Sequence, residues 1–308
     1  MSSILYIKYD ELIGLKNRVI LDLKFKIKYP LHIGERQEGI TKKMLQFNIE
    51  GKCIPIIPAE SFKGAMRHLA TKIAKEIFST EDIHSDIKEI IERHNKDQHL
   101  KNADKEYVRK KYEEGKEWLL QNGIISKDKM NELPQKEIAE LYLSFKCPIC
   151  RLFGSRVVAS KIIFKDVIFN IPPEIHRYTS TSIDRKTKTV VKERLFQIEY
   201  IPPEEKYTLS TQLIIDNVEP KTHEAKLLAE TLKYIQTLGL EVGGSKSRGY
   251  GLLTLGEGSK VIILKLNPKP TKDTETVQNI KALLLQEEAI QTLNIKDYYR
   301  YLTNNFIR

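Results

Sequence analysis

Residues 19 to 34 alternate apolar and charged positions: Leu21, Leu23, Phe25 and Ile27 face one way, and Asp22, Lys24 and Lys26 the other. A period of two marks a half-buried strand, so the pattern predicts a first strand over this stretch. A loop of mixed charge follows at 35 to 46, then a short Ile-Pro-Ile-Ile run at 54 to 57. After Pro58 the period becomes helical over residues 59 to 78. Phe62, Met66, Leu69, Ile73 and Ile77 form one apolar stripe, and Glu60 or Ser61 stands near the helix start. Residues 79 to 146 are dense in charge and poor in alternation. They predict a helical lobe whose small core gathers around Trp118, Leu119 and Leu120. Strand patterns return at 160 to 170 and 206 to 216. A helix then runs from Thr222 as N-cap to Gly239 at its C-terminal end, with Ala225, Leu228, Leu232 and Ile235 on one face. A strand over 250 to 255 follows. The last fifty residues give one more strand, a proline-containing linker near 268 to 270, and a helical tail.

Strand, helix, strand, then strand, helix, strand is the order of a ferredoxin-like βαββαβ unit. The predicted fold is therefore α+β: a ferredoxin-like (RRM-like) core over residues 1 to 78 and 147 to 255, an inserted helical lobe over 79 to 146, and a C-terminal strand and helix extension over 256 to 308. The Thr- and Val-containing stretch at about 175 to 203 suits a projecting β-hairpin. A sheet of this kind is also the platform of RNA-recognition modules.

Composition narrows the function. Lysine and arginine outnumber aspartate and glutamate by 51 to 41, and the resulting net charge of +10 suits a polyanionic partner. No apolar stretch approaches the roughly 20 residues of a membrane span, and the N-terminal segment meets acid too early for a signal peptide. Three cysteines in 308 residues make no disulfide framework, which points to a reducing, cytoplasmic setting.

Four stretches carry candidate chemistry. The glycine-rich segment at 239 to 251 holds five of the chain's fifteen glycines, with Lys246, Ser247 and Arg248 among them. A Walker loop would need a lysine where Ser245 stands and would open a helix rather than close one. The alternatives are a tight helix-to-strand turn, or a loop whose bare N–H groups around Gly243, Gly244 and Gly249 grip phosphates together with the two cations. In the helix after Pro58, Lys63 and Arg67 lie four apart on one face near an N-terminus suited to phosphate. Cys147 and Cys150, spaced C-x-x-C, form half of a zinc site or a redox pair. His94 and His99 could complete a Cys2His2 set, with His84 and Cys53 as competing ligands. Arg156 follows that turn. In the central stretch, Arg177, Arg185 and neighbouring lysines stand beside Tyr178 and Phe196, a mixture suited to nucleic acid. No hydrolase signature of the G-x-S-x-G, H-E-x-x-H or D-F-G kind occurs.

Taken together, "IPAESFKGAMR", "CPICRLFGS", "SIDRKTKT…ERLFQIEYIPP" and "LEVGGSKSRGYG" resemble successive landmarks of the RAMP superfamily. More narrowly, they are similar to the backbone subunits of type III CRISPR effector complexes, over roughly residues 19 to 255. The resemblance implies an RRM-like core stacked with other Cas subunits, including related RAMP paralogues, along a crRNA. The glycine loop and the helix bearing Lys63 and Arg67 would track the guide, and the hairpin would act as a thumb between guide and target RNA. It also implies a metal bracing the helical lobe beside the Cys-Pro-x-Cys turn. Active subunits of this kind carry an aspartate in the loop after the first strand. Here that position falls near Lys43, no aspartate occurs between Asp22 and Asp82, and Glu35 and Glu38 are the nearby acids. The expectation is a binding subunit without target cleavage. The competing class is an endoribonuclease with His32 as general base and His68 close to it. A stand-alone nucleotide-binding enzyme is a more distant alternative. The aromatic tail, with Tyr298, Tyr299, Tyr301 and Phe306, suits docking to a neighbouring subunit.

Overall fold

The computed structural model describes residues 14–38, 40–49, 51–78, 85–95, 98–183, 190–267 and 291–303. In chain order the first strands are β1 (Asn17–Ile27), β2 (Gly34–Glu38), β3 (Thr41–Met44), β4 (Gln46–Ile49) and β5 (Lys52–Pro55). Six helices follow: α1 (Ala59–Ile77), α2 (Ser85–Arg93), α3 (Lys105–Gln121), α4 (Lys127–Glu132), α5 (Gln135–Lys146) and α6 (Pro148–Phe153). Strands β6 (Ile162–Phe164), β7 (Ile168–Phe169), β8 (His176–Ile183), β9 (Val190–Tyr200) and β10 (Thr208–Asp216) precede α7 (His223–Leu238). The chain then forms β11 (Leu240–Glu241), β12 (Leu252–Leu255), β13 (Lys260–Lys265), β14 (Gln291–Leu293) and α8 (Ile295–Thr303).

The main sheet has the spatial order β12, β1, β10, β6, with every pairing antiparallel. Numbered within the βαββαβ unit this is 4-1-3-2, the ferredoxin-like order, and the expected fold class holds. Strand β12 pairs with the C-terminal part of β1, and β13 continues the same edge along its N-terminal half. Leu21, Leu23 and Phe25 of β1 stand opposite Leu213, Thr211 and Leu209 of β10, and the apolar members of this row enter one core with α1 and α7. The opposite face is largely polar. There Gln212 donates to Asp22 at 2.9 Å, a small apolar cluster forms from Ile20, Ile262 and Leu264, and Ile214 and the exposed Ile163 stand in the same cross-strand row as Ile20.

Three local differences from the sequence reading have physical causes. The first strand stops at Ile27 rather than reaching 34, because the chain bends at Lys28 and Tyr29, ahead of Pro30, before Leu31 rejoins the structure in a bridge to Ile201. The strand expected over 160 to 170 is two short strands, broken where Val167 pairs with Ile57. At that break Asp166 accepts from the Ala59 N–H at 2.7 Å, so α1 is capped from a distant loop and not by Glu60 or Ser61. The fully buried stripe of α1 is Phe62, Met66, Ala70 and Ala74, with Leu69, Ile73 and Ile77 packing at its margin. Small alanines let the last turns of the helix approach its neighbours closely.

The mixed-charge loop after β1 is itself a hairpin of β2 and β3, which places Lys43 on β3. Strand β3 pairs parallel to β9, and the order β2-β3-β9-β8 forms a second sheet that includes the expected 175 to 203 hairpin. The linker near 268 to 270, His84, Arg185 and Phe306 lie outside the described residues. Trp118 and Leu120 pack around the fully buried Leu119 in a separate apolar cluster with α5. In α8, Tyr298 is fully buried in the main core beside a half-buried Tyr299 and Tyr301. Tyr298 is therefore committed to its own chain and is not available to a neighbouring subunit.

Candidate functional site

Helix α7 ends at Gly239, and β12 begins at Leu252; between them the glycine-rich segment folds back on the connection after β1. Its glycines are required by close backbone approach. A Cβ on Gly243 (φ +77°) would lie 2.3 Å from the His32 carbonyl oxygen, and one on Gly251 (φ +85°) would lie 2.0 Å from that of Val242. The Gly244 N–H donates to His32 at 3.1 Å, and the Gly251 N–H to Pro30 at 2.8 Å. Arg248 and Gly249 donate within the turn to Ser245 and Lys246. The N–H groups of Gly244 and Gly249, expected to be bare, are thus bonded within the protein. Lys246, Ser247 and Arg248 sit on a 3-10 turn, where Ser247 and Arg248 are exposed and Lys246 is half-buried.

The turn joins two other elements. The Arg248 guanidinium lies 5.2 Å over the Phe196 ring of β9, and Tyr250 meets Tyr200 edge-on at 6.1 Å. On the other side Gly243, Gly244 and Lys246 line a hollow of about 410 Å³ with His32, Gly34, Ser61, Gly64 and His68. The α1 face that meets the loop is therefore Ser61, Gly64 and His68, not Lys63 and Arg67. Lys63 is half-buried, and burial together with the Arg67 charge lowers its pKa. Arg67 holds its Nε and Nη2 buried without a hydrogen-bond partner among the described residues, and its charge reaches Cys150. Arg177 of β8 is exposed but ion-paired through Nη2 to Glu199 at 3.1 Å. Arg156 is exposed on the turn after α6 and does not line the hollow.

His32 is buried, and its Nδ1 lies 2.7 Å from the Glu199 carbonyl oxygen. A carbonyl only accepts, so Nδ1 carries the proton and Nε2 keeps its lone pair beside Gly34. Burial, reinforced by Lys42, lowers the His32 pKa. Burial and the charges of Lys72 and Lys246 lower that of His68. Both imidazoles are neutral at pH 7.

Away from this loop, the structure brings His94, His99, Cys147 and Cys150 together, fully buried, with one ligand atom from each within 4.8 Å of all the others. His94 follows α2, and Cys147 ends α5 as it begins α6, so Pro148 at the first helical position sets the turn. The pair opens a helix as in thioredoxin-type sites, but it follows a helix and not a strand. His94 Nδ1 is 3.7 Å from the Cys147 Sγ and 3.6 Å from the Cys150 Sγ, and His99 Nε2 is 4.0 Å from the latter. Bonds of about 2.3 Å to sulfur and 2.0 to 2.1 Å to nitrogen in a tetrahedron give ligand–ligand edges of roughly 3.4 to 3.8 Å, so the quartet fits a tetrahedral ion. Glu140 on α5 completes it. It accepts from His99 Nδ1 at 2.9 Å and from the backbone N–H groups of His99 and Leu100, which turns Nε2 toward the sulfurs. Burial opposes charge on His99, yet the bonds to Cys147 and Glu140 raise its pKa to about 9. Cys53 is exposed and takes no part. Glu140 escaped sequence reading, since a lone carboxylate inside a helix carries no local signature of a metal site.

Comparison with known proteins gives three results. No curated protein matches the chain. Among solved structures it is similar to a chain of a "Type IV-B CRISPR Complex", at 16% identity and a TM-score of 0.43, covering 87% of this chain and 99% of that one. The family model described as "RAMP superfamily" matches residues 24–254, from within β1 to within β12 and so across both the glycine-rich loop and the cysteine–histidine cluster. The chain belongs to the RAMP superfamily.

Proposed function

We propose that this protein is a crRNA-binding backbone subunit of a type III CRISPR-Cas effector complex, working in the cytoplasm beside other Cas subunits and related paralogues. The observation that carries the reading is the Lys246–Arg248 turn, which presents its cations between the hollow at the start of α1 and the ring of Phe196 on the β8–β9 hairpin. Backbone phosphates would meet Lys246, Ser247 and Arg248, with Gly243, Gly244 and Gly249 giving the loop its shape. Aromatic and basic groups of the hairpin, Tyr178 and Arg177 with Arg185, would border guide and target. Lys63, Arg67 and Arg156 are secondary contacts on this reading. Residues 1 to 78 and 147 to 255 act as the RNA-binding core, 79 to 146 as a lobe, and 256 to 308 as an extension. Lys43 on β3 replaces the expected carboxylate, so the subunit holds target RNA without cutting it.

A structural Zn²⁺ held by His94, His99, Cys147 and Cys150 would pin α2 to the α5–α6 corner. Its contribution is structural: it joins segments that only the fold brings together.

Binding to single-stranded RNA should weaken with salt at a slope of about −0.7 per phosphate neutralised. Lys246→Ala with Arg248→Ala should reduce that slope by roughly 1.4. An unchanged slope would remove the loop from the RNA path.

One observation favours a second reading, an endoribonuclease subunit that cleaves target RNA or processes crRNA. The neutral His32, its Nδ1–H held by Glu199, keeps a lone pair at Nε2 in the same hollow as His68 and Lys246. Loss of cleavage in His32→Ala with RNA binding retained would establish this reading. Cleavage lost in Glu35→Ala or Glu38→Ala would instead place target cutting in the loop after β1.

A further inference from the structure

The hollow at the start of α1 does not end at the glycine-rich loop. Ala65, His68 and Lys246 also line a second hollow of about 290 Å³, between α1 and the end of α7. Along the two, α1 contributes Ser61, Gly64, Ala65, His68, Leu69 and Lys72. Steps of three and four residues place these on one helix face, and a rise of about 1.5 Å per residue makes the path roughly 16 Å long. That is several times the roughly 3.4 Å axial spacing of phosphates along one strand of a duplex.

The second hollow combines an aromatic and aliphatic surface with two ammonium groups. Tyr234 and Leu238 lie four apart on the solvent side of α7, 41% and 57% exposed, and Leu69 of α1 lines the hollow with them. Among the described residues no cation and no second ring packs on the Tyr234 ring, so a planar group can stack there. Lys72 and Lys246 form no ion pair among the described residues, and Glu241 is the single carboxylate on the lining. The charges of both lysines reach His68, which gathers the two ammonium groups around one imidazole. An apolar protein segment laid here would leave those ammonium groups without counter-charge. A nucleotide supplies a flat face for Tyr234 and an anion for the lysines.

We propose that the second hollow receives an unpaired nucleotide of the RNA strand that the glycine-rich loop holds, its base stacked on Tyr234 and its phosphate between Lys72 and Lys246. Because Lys246 belongs to both hollows, this assignment rests on the guide-binding reading of the loop. It adds Tyr234 and Lys72 as contacts that detect a base without selecting which one.

Fluorescence anisotropy with the full-length protein compares a labelled single-stranded oligouridylate with an abasic oligomer of equal length and charge. Wild-type protein should prefer the oligouridylate. Tyr234→Ala should narrow that preference about tenfold without changing the slope of log affinity against log salt, and Tyr234→Trp should keep it. Lys72→Gln should reduce the salt slope by about 0.7 for either oligomer. Tyr234 is exposed, so the thermal midpoint of Tyr234→Ala should stay near wild type. A salt slope unmoved in Lys246→Ala with Arg248→Ala would defeat the guide-binding reading and this site with it. With that slope reduced as expected, an undiminished preference in folded Tyr234→Ala, or an unmoved slope in Lys72→Gln, would overturn the nucleotide site alone. Loss of another Cas subunit from natively purified Tyr234→Ala protein, with RNA affinity intact, would give the hollow to a protein partner and overturn it as well.

Discussion

Gly243 and Gly249 lie in the same loop with nearly the same φ, +77° and +78°, yet their surroundings differ. A Cβ at Gly249 meets nothing within 4 Å, so Gly249→Ala costs only the left-handed conformation, roughly 1 kcal/mol. At Gly243 the same atom would lie 2.3 Å from the His32 carbonyl oxygen and 2.8 Å from Ile33 Cδ1. The loop must move off the connection after β1 by about an ångström. That movement breaks the Gly244-to-His32 hydrogen bond, worth about 1 kcal/mol, and adds overpacking of about 1 to 3 kcal/mol. Gly243→Ala should therefore destabilise by roughly 3 to 5 kcal/mol, against about 1 for Gly249→Ala. Urea unfolding with a shared m-value measures both. RNA binding at fixed salt should fall in Gly243→Ala, because the hollow that Lys246 lines is displaced, and stay near wild type in Gly249→Ala. Equal losses of stability in the two variants would show that conformation alone governs the loop, and would refute the close-approach argument.

Cys150→Ser should abolish stoichiometric zinc, read by elemental analysis of the purified protein, and lower the thermal midpoint; wild-type protein with no bound zinc would contradict the site. Glu140→Gln should keep the ligands but reduce zinc affinity by about 10- to 100-fold in a competitive chelator titration, because His99 loses its orienting acceptor. Glu224→Gln leaves Lys161 buried without its carboxylate and should cost about 3 to 5 kcal/mol in denaturant unfolding. Burial alone would raise the Glu224 pKa, but Lys161 and Arg151 hold it below the usual carboxylate range. The stability it contributes is thus full above the unfolded-state value of about 4.3 and is lost as pH falls through the lower folded value, a dependence that should flatten in the variant.

The elements that sequence revealed are those whose signal is local. Alternation along β1 and β10 gave the centre of the sheet. Helix α7 begins and ends at the residues its caps require, with the Thr222 side chain accepting from Ala225 at 3.3 Å and Gly239 closing the last turn. Residue type and spacing were enough to bring His94, His99, Cys147 and Cys150 under suspicion as one set. Signals set by tertiary approach were not legible. Helical periodicity puts Lys63 and Arg67 on one face, but only packing shows that Ser61, Gly64 and His68 meet the loop. Glycine density suggested free N–H groups, whereas two of those groups, on Gly244 and Gly251, are spent holding the loop against His32 and Pro30. Asp166 and Glu140 act on partners 107 and 41 residues away, distances over which no sequence pattern links a carboxylate to its target.

Purification of the protein from its host under native conditions, with sequencing of the RNA that accompanies it, tests whether the protein carries a guide RNA. Short RNAs that carry a repeat-derived 5′ handle should accompany the protein, together with other Cas subunits, and should be lost from the Lys246→Ala, Arg248→Ala variant. Recovery of the protein without RNA, or with RNA of no common origin, would contradict the guide-binding reading.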